Sequence, residues 1–165
     1  MKKYSILLSV VLFVSLFLSG CKKDDDKPAY VGTWEMTETS DNGQMKTTLT
    51  VTESTVTVIN SYFFGEAWID GSGMKATLSV SGDDVTLTLT EIGQAPYTMN
   101  GIGDIVWYTP SDEEFAALAL DFGANANLQI VGKLTVDGDQ LTIKTDNNGD
   151  GDYSDPYETQ VFTRV

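Results

Sequence analysis

The side chains best suited to chemistry lie in one acidic stretch, Asp146-Asn147-Asn148-Gly149-Asp150-Gly151-Asp152. Oxygen-bearing side chains at alternate positions, with glycine at the sharp turn, match the first half of a calcium-binding loop. The same residue types favour an ordinary solvated turn, so a structural calcium ion and a plain acidic turn remain alternatives. The candidate calcium ligands are Asp146, Asn148, Asp150 and Asp152, with Asp155 or Glu158 closing the site.

The second half of this stretch departs from the helix-loop-helix type of calcium site. Tyr157 occupies the twelfth position, where a bidentate glutamate is needed, and Pro156 interrupts the loop. The flanking residues 141–145 and 159–165 alternate like strands. The sequence therefore predicts a long acidic loop between two strands, with a structural rather than catalytic role.

Enzymatic chemistry has little support in the composition. The chain has no histidine and a single cysteine, Cys21, so the usual Ser-His-Asp, Cys-His and zinc sites have no ligands or bases. A carboxylate pair could serve glycoside hydrolysis, with Asp70, Glu66 and Glu91 as nominal candidates, but their spacing selects no two of them. No glycine-rich phosphate loop follows a strand. We expect a protein that is not an enzyme.

Aromatic residues offer a different kind of site. Trp68 and Trp107 are candidate contacts for a small apolar molecule or a sugar bound by the domain. The alternative is that these tryptophans belong to the core, as most large aromatic residues do.

The N-terminal residues have the pattern of a secretory signal. Lys2 and Lys3 precede an apolar run over residues 6–18, and Ser19-Gly20 precedes Cys21. A basic start, a short apolar segment and a small-residue cleavage site are typical of a signal peptide, here residues 1–20, and the apolar run is short for a membrane span.

Leu18-Ser19-Gly20-Cys21 resembles the bacterial lipobox, which implies that Cys21 is lipidated and becomes the first mature residue. Residues 21–29 are polar and predict a tether. The Lys-Asp-Asp that follows Cys21 resembles the surface-export signal of Bacteroidota lipoproteins. This resemblance implies an outer-membrane, lipid-anchored protein exposed at the cell surface, with a periplasm-facing protein as the alternative.

The charge of the chain excludes some partners. Twenty-four acidic residues against ten basic ones give a net charge of −14. Nucleic acids and anionic lipid head groups need cationic surfaces, so neither is an expected partner. Cations, basic proteins and neutral ligands remain. We expect a monomer whose contact with the membrane is made through the N-terminal lipid.

The elements that must position these residues are mainly strands. Short runs with period-two apolar residues, separated by glycine-containing turns, are typical of an antiparallel sheet. Strands are predicted over residues 31–39, 45–52 and 55–60, with another possible over 63–70 and one or two over 97–108. The clearest signals are two hairpins with a Gly-Asp turn, over residues 78–87 and 134–143.

Residues 111–123 admit two interpretations. Ser111 and Glu114 have the spacing of a capping box, and Phe115, Leu118 and Phe122 form a helical stripe that ends at Gly123. Leu118, Leu120 and Phe122 also alternate as in a strand. The first pattern favours a short helix.

These elements predict one all-β domain over residues 30–165. Eight to ten antiparallel strands limit their exposed edges by closing into a barrel or by pairing as a β-sandwich, and periodicity leaves both open.

Gly32-Thr33-Trp34 resembles the Gly-x-Trp opening of lipocalin-like domains, and Arg164 is placed like the arginine that stacks on that tryptophan. The resemblance implies an up-and-down barrel that Trp34 and Arg164 close at one end. It also implies a small apolar or glycan ligand inside. The alternative function is a surface interaction module, such as an adhesin, with a packed barrel and no small-molecule ligand.

Overall fold

The computed structural model describes residues 27–41, 43–98, 101–122, 124, 127–146, 150–155 and 158–165. In chain order, these residues form β1 (Gly32–Ser40), β2 (Gly43–Val51), β3 (Thr55–Phe64), β4 (Ala67–Ser81), β5 (Asp84–Gln94), β6 (Tyr97–Thr98), β7 (Gly101–Ile102), β8 (Val106–Tyr108), α1 (Phe115–Asp121), β9 (Gln129–Asp137), β10 (Gln140–Thr145) and β11 (Thr159–Arg164).

The main sheet closes into an eight-stranded antiparallel up-and-down barrel, as the sequence predicted. Its strands follow the order β4-β3-β2-β1-β11-β10-β9-β5, and β4 pairs with β5 to complete the ring. β5 has two partners on its other side, β9 along its first half and β8 at its end. β6 and β7 form a separate two-stranded sheet. The sandwich alternative is therefore wrong.

The up-and-down order gives the barrel two different ends. Trp34, near the start of β1, pairs with Arg164, near the end of β11, and the short turns after β2, β4 and β9 lie at this end. We call it the closed end. The opposite, open end carries the connections at residues 41–42, 65–66, 95–128 and 146–158. The helix and the acidic loop thus belong to the same end of the molecule.

Period-two alternation directs one side chain in two into the barrel. The buried core includes Trp34 and Phe162 near the closed end, with Leu49, Leu134 and Leu141 from the walls. Apolar burial of this kind contributes about 25 cal/mol per Å² and is the main force that holds the sheet closed.

The two predicted Gly-Asp hairpins both form, as β4–β5 and β9–β10. Each has a two-residue connection, and its glycine, Gly82 or Gly138, has φ of 62° or 58°. A positive φ at the first position of a two-residue hairpin loop is what glycine supplies without steric cost.

Residues 63–70 do not form a strand of their own. Phe63 and Phe64 end β3, Gly65 turns the chain with φ of 72°, and Ala67 starts the 15-residue strand β4. Phe63 pairs with Trp68 across this hairpin. The prediction failed here because the turn lacks the Asn-Gly or Gly-Asp signal of the other hairpins, and the aromatic residues mask it.

Residues 115–121 are helical, as the apolar stripe indicated, and Phe115 and Ala119 are buried while Leu120 is 68 % exposed. The predicted Ser111–Glu114 capping box is wrong, because Glu114 is itself the N-cap residue and its side chain makes no capping bond. The carboxylate of Asp112 instead accepts bonds from the backbone N–H and hydroxyl of Thr109, at 2.6 and 2.9 Å. These bonds lower the pKa of Asp112.

Within the described residues, α1 is too short and no other helix is long and apolar enough to cross a membrane.

Candidate ligand-binding site

A cavity of about 410 Å³ occupies the barrel between Phe162 and the open end. Volumes of about 300 to 1,000 Å³ are typical of small-molecule sites, which are mostly apolar with a few placed polar groups. The lining has this composition. Its apolar members are Met45, Leu49, Val56, Val58, Met74, Leu87, Phe122, Ile130, Ile143 and Phe162.

The polar members of the lining follow a pattern along the strands. In β3, the inward positions run Val56, Val58, then Asn60, and in β10 they run Leu141, Ile143, then Thr145, so the polar residue comes last toward the open end. β11 repeats this pattern, whereas in β2 the polar Thr47 lies between Leu49 and Met45, and Met45 is nearer the open end. Four of the eight strands thus contribute an inward polar side chain above an apolar floor, and we call this set the polar collar: Thr47, Asn60, Thr145 and Gln160.

Part of the polar collar is held by its own hydrogen bonds. The Thr47 hydroxyl donates to the Asn60 side-chain oxygen at 2.9 Å, and the Asn60 amide donates to the Ser72 hydroxyl at 3.2 Å. Thr47 is buried. Pairing satisfies these partly buried polar groups, as is usual inside a protein, and it fixes the orientation of the amide.

The C-terminal end of α1 lies at the mouth of this cavity. Asp121 and Phe122 line it, and they also line a second cavity of about 340 Å³ between α1, the upper ends of β3 to β5, and the β6–β7 hairpin. Asn60 is common to both cavities. Asp121 is the single charged side chain among the described residues that line either cavity.

The closed end is sealed by Trp34 and Arg164. Trp34 is 0 % exposed, and the guanidinium carbon of Arg164 lies 4.0 Å from the centroid of its ring. The indole N–H donates to the Tyr30 carbonyl at 2.9 Å, while Arg164 donates to the carbonyls of Val31 and Ala29 at 3.0 and 2.6 Å. The chain that enters β1 is thereby tied across the barrel floor. This is the stacked pair that the resemblance implied.

Trp107 lies on the outer face of the barrel, in β8. It pairs with Gly93 of β5, and its ring covers Gly93 and Gly73, where an added Cβ would approach within 2.9 and 3.0 Å of the indole. The ammonium of Lys75 lies 4.2 Å from the ring centroid. Trp107 is not among the lining residues of the two cavities. Its ring packs against the barrel wall from the outside.

Trp68 also lies on the outer face, where its ring is 5.3 Å from that of Phe63 and 5.3 Å from the ammonium of Lys46. It is 36 % exposed, and Phe64 beside it is 54 % exposed. Neither cavity is lined by Trp68. The structure therefore places the two predicted ligand-contact tryptophans outside the barrel and apart from the cavity.

The described part of the acidic loop is organised by its own carboxylates. Asp146 accepts backbone N–H bonds from Asp150 and Gly151 at 3.1 and 3.0 Å, and Asp152 accepts bonds from the N–H and hydroxyl of Ser154 at 2.8 and 2.9 Å. The Ser154 bonds lower the pKa of Asp152. The bond from the Ser154 N–H to Asp152, two residues back, is that of an Asx turn.

Two other predicted calcium ligands lie close together, since the N–H of Asp155 donates to the carboxylate of Glu158, which is 1 % exposed. Asn148 lies outside the described residues. Among the residues that are described, no group of three or more acidic side chains is arranged to hold a metal ion. A calcium ion in this loop stays a prediction.

The three nominal carboxylates for glycoside hydrolysis are separated. Asp70 accepts a bond from the Ser61 hydroxyl at 2.7 Å, Glu91 pairs with Lys75 at 2.7 Å, and Glu66 lies in the β3–β4 turn. None of the three lines the barrel cavity.

Sequence reasoning did not single out the polar collar or Asp121. A polar residue at an inward position of an otherwise apolar alternation costs free energy unless it has a partner, so such a residue indicates a partner or a function. The sequence therefore contains a signal for the collar. Asp121 had no such signal, since its place at the cavity depends on how α1 docks on the barrel.

The fold and this site together define an antiparallel β-barrel with an internal cavity that opens at one end. Comparisons with known protein families, with curated proteins and with solved structures found no match. The predicted signal peptide, the lipidation site Cys21 and most of the tether lie outside the described residues.

Proposed function

We propose that this protein is a non-enzymatic, lipid-anchored binding protein that holds a small, mainly apolar molecule in its barrel. The observation that carries the proposal is the 410 Å³ cavity with an apolar floor and a polar collar. A water molecule occupies about 30 Å³ in the liquid, and a methylene group is of similar size, so this volume is roughly that of a ten-carbon chain with its head group.

The lining favours an apolar ligand over a glycan. Aliphatic side chains form most of the floor, and among the described lining residues the aromatic faces are those of Phe122 and Phe162. Each buried methylene of a ligand gains about 0.8 kcal/mol, whereas a sugar would have to exchange its water hydrogen bonds for few partners. Asp121 is the single titratable side chain among the described residues of this lining, which supports binding rather than acid–base catalysis.

The anchor is part of the proposal. Lipidation at Cys21 would place the barrel at the outer membrane, on the cell surface or facing the periplasm. Cys21→Ala is expected to leave the barrel folded but to move the protein from the membrane fraction to the soluble fraction. Retention of the variant in the membrane fraction would contradict the anchor.

Binding is tested with a neutral apolar fluorophore, N-phenyl-1-naphthylamine, whose emission rises on entering an apolar site. We expect saturable binding at one site per chain, with displacement by decanol. The cavity-filling variant Ile130→Trp should abolish it, because Ile130 lines the cavity. The matched control is Val131→Trp, one residue along the same strand and 55 % exposed on the outer face, which should bind normally.

Absence of binding to the unchanged protein, or equal binding by both variants, would overturn the proposal. Overpacking costs about 1 to 3 kcal/mol, so the fold of Ile130→Trp is checked by circular dichroism before binding is measured.

A second candidate function is recognition of a surface protein or glycan through exposed aromatic residues. Tyr62, Phe63, Phe64 and Trp68 are each at least 36 % exposed around the β3–β4 hairpin. Contiguous exposed apolar residues often mark interaction sites. Recognition through these outer residues does not need the packed barrel expected for an adhesin. It would be supported if Phe64→Ser lost cell-surface binding while its fluorophore binding stayed unchanged.

A further inference from the structure

The connections at the open end of the barrel carry charges of one sign. The four open-end connections, residues 41–42, 65–66, 95–128 and 146–158, contain no lysine or arginine. Half of the chain's 24 acidic residues fall in them: Asp41, Glu66, Asp104, Asp112, Glu113, Glu114, Asp121, Asp146, Asp150, Asp152, Asp155 and Glu158. Charges of one sign around a cleft raise the local concentration of ions of the opposite sign.

The same sign of charge reaches the cavity itself through Asp121. This residue is the last of α1 and lines both the 410 Å³ cavity and the neighbouring 340 Å³ cavity. In the part of the chain that the structure describes, no lysine or arginine lines either cavity. A ligand whose tail fills the apolar floor would place its head between the polar collar and Asp121.

We propose that the barrel takes a single-chain amphiphile with a cationic head, such as an alkylammonium, and discriminates against the matching carboxylate, a fatty acid. The inference rests on the proposed function, since it names the ligand class of that cavity. The apolar tail would lie against Leu49, Val58 and Phe162, and the ammonium would lie beside the Asp121 carboxylate at the mouth.

A carboxylate head meets no cation at this position. It would face Asp121, an exposed carboxylate of the same sign, and like charges repel. The Thr47 hydroxyl and one Asn60 amide proton are already donated to Asn60 and Ser72. The other collar donors belong to neutral groups, so they can solvate a carboxylate but do not offset its charge. An ammonium meets an opposite charge and unused lone pairs of the collar oxygens.

The experiment compares three ligands of one chain length as competitors of bound N-phenyl-1-naphthylamine, each below its micelle concentration: decyltrimethylammonium, decanol and decanoate. We expect the cation to bind at least about tenfold more tightly than decanoate, with decanol between them. The ratio should shrink as salt rises from about 10 mM to about 1 M, because the Debye length falls from about 30 to about 3 Å.

Asp121→Asn removes the charge and keeps the side-chain shape. It should reduce the preference for the cation over decanoate by about threefold or more and leave decanol unchanged. The matched control is Glu53→Gln, which removes one negative charge in the β2–β3 turn at the closed end and should leave all three affinities unchanged.

Two controls exclude adsorption to the acidic surface. Tetramethylammonium, the head without a tail, should not displace the fluorophore, and Ile130→Trp should abolish binding of decyltrimethylammonium measured by calorimetry. Binding of the cation that survives Ile130→Trp would overturn the inference.

The two proposals fail in different ways. If neither the fluorophore nor decanol binds, the proposed cavity function itself is overturned. If decanol binds but the cation has no advantage over decanoate, or its advantage is unchanged in Asp121→Asn, the cavity function stands and the inference about its ligand is overturned.

Discussion

Removal of the Trp34 side chain is expected to be among the most damaging changes to this fold. The residue is 0 % exposed, stacks on Arg164 at 4.0 Å, and donates its indole N–H to Tyr30. Truncation of a buried tryptophan to alanine costs about 3 to 5 kcal/mol through lost burial and the cavity left behind. The lost hydrogen bond adds about 1 kcal/mol and the cation–π contact about 0.5 to 1 kcal/mol, neither strictly additive. We predict that Trp34→Ala lowers the free energy of unfolding by about 4 kcal/mol.

The measurement is urea unfolding followed by far-ultraviolet circular dichroism. Trp68→Ala is the matched control, because that tryptophan is 36 % exposed on the outer face and stacks mainly on Phe63. Its loss should cost about 0.5 to 1.5 kcal/mol. If Trp34→Ala were to cost no more than Trp68→Ala at equal m-values, the assignment of Trp34 as the seal of the barrel floor would be refuted.

Gly132→Ala should destabilise the protein by about 1 to 3 kcal/mol in the same assay, because an added Cβ would overlap the backbone carbonyl oxygen of Lys144; an unchanged midpoint would contradict this packing. The two Ser154 bonds lower the pKa of Asp152 in the folded protein. They should therefore stabilise the loop fully at pH values above the unfolded pKa of about 3.9. This stabilisation should disappear as the pH falls through the lowered folded pKa. The melting temperatures of the protein and of Asp152→Asn should therefore differ at neutral pH and converge on acidification, and a pH-independent difference would argue against the pKa shift. Asp146→Ala removes the acceptor of the N–H groups of Asp150 and Gly151 and should lower the melting temperature without calcium present. If calcium is a structural ligand, it should raise the melting temperature of the unchanged protein but not that of this variant, and no rise at millimolar calcium would leave the loop as an acidic turn.

The strand architecture could be predicted from the sequence because it depends on local signals. Alternating apolar residues define the walls, and the Gly-Asp turns at Gly82 and Gly138 fix the register of two hairpins. The β3–β4 hairpin was missed because Gly65 stands among large aromatic residues that alternate poorly. Closure into a barrel rather than a sandwich depends on the pairing of β1 with β11, a contact between the two ends of the domain that no local pattern specifies.

The candidate site was less accessible to sequence reasoning. Residue type alone predicts that the tryptophans contact a ligand, yet Trp107 lies outside because it pairs with Gly93, an outward position. A β-bulge contributes to this result. Lys75 pairs with Glu91 and Ala76 with Leu89, so Thr90 is an extra residue in β5. This extra residue reverses the inward and outward alternation of the side chains beyond it. Asp121 was missed because only the docking of α1 brings a helix terminus to the barrel mouth.

The path of residues 28–31 under the barrel has a consequence for how the protein would meet its ligand. This segment is bound by Arg164 and Trp34 at the closed end. If Cys21 carries the proposed lipid, the barrel would be attached from its sealed side, and the mouth would point toward the aqueous phase. The ligand would then be exchanged with solution or with a partner standing away from the membrane, and not withdrawn sideways from the leaflet that holds the anchor.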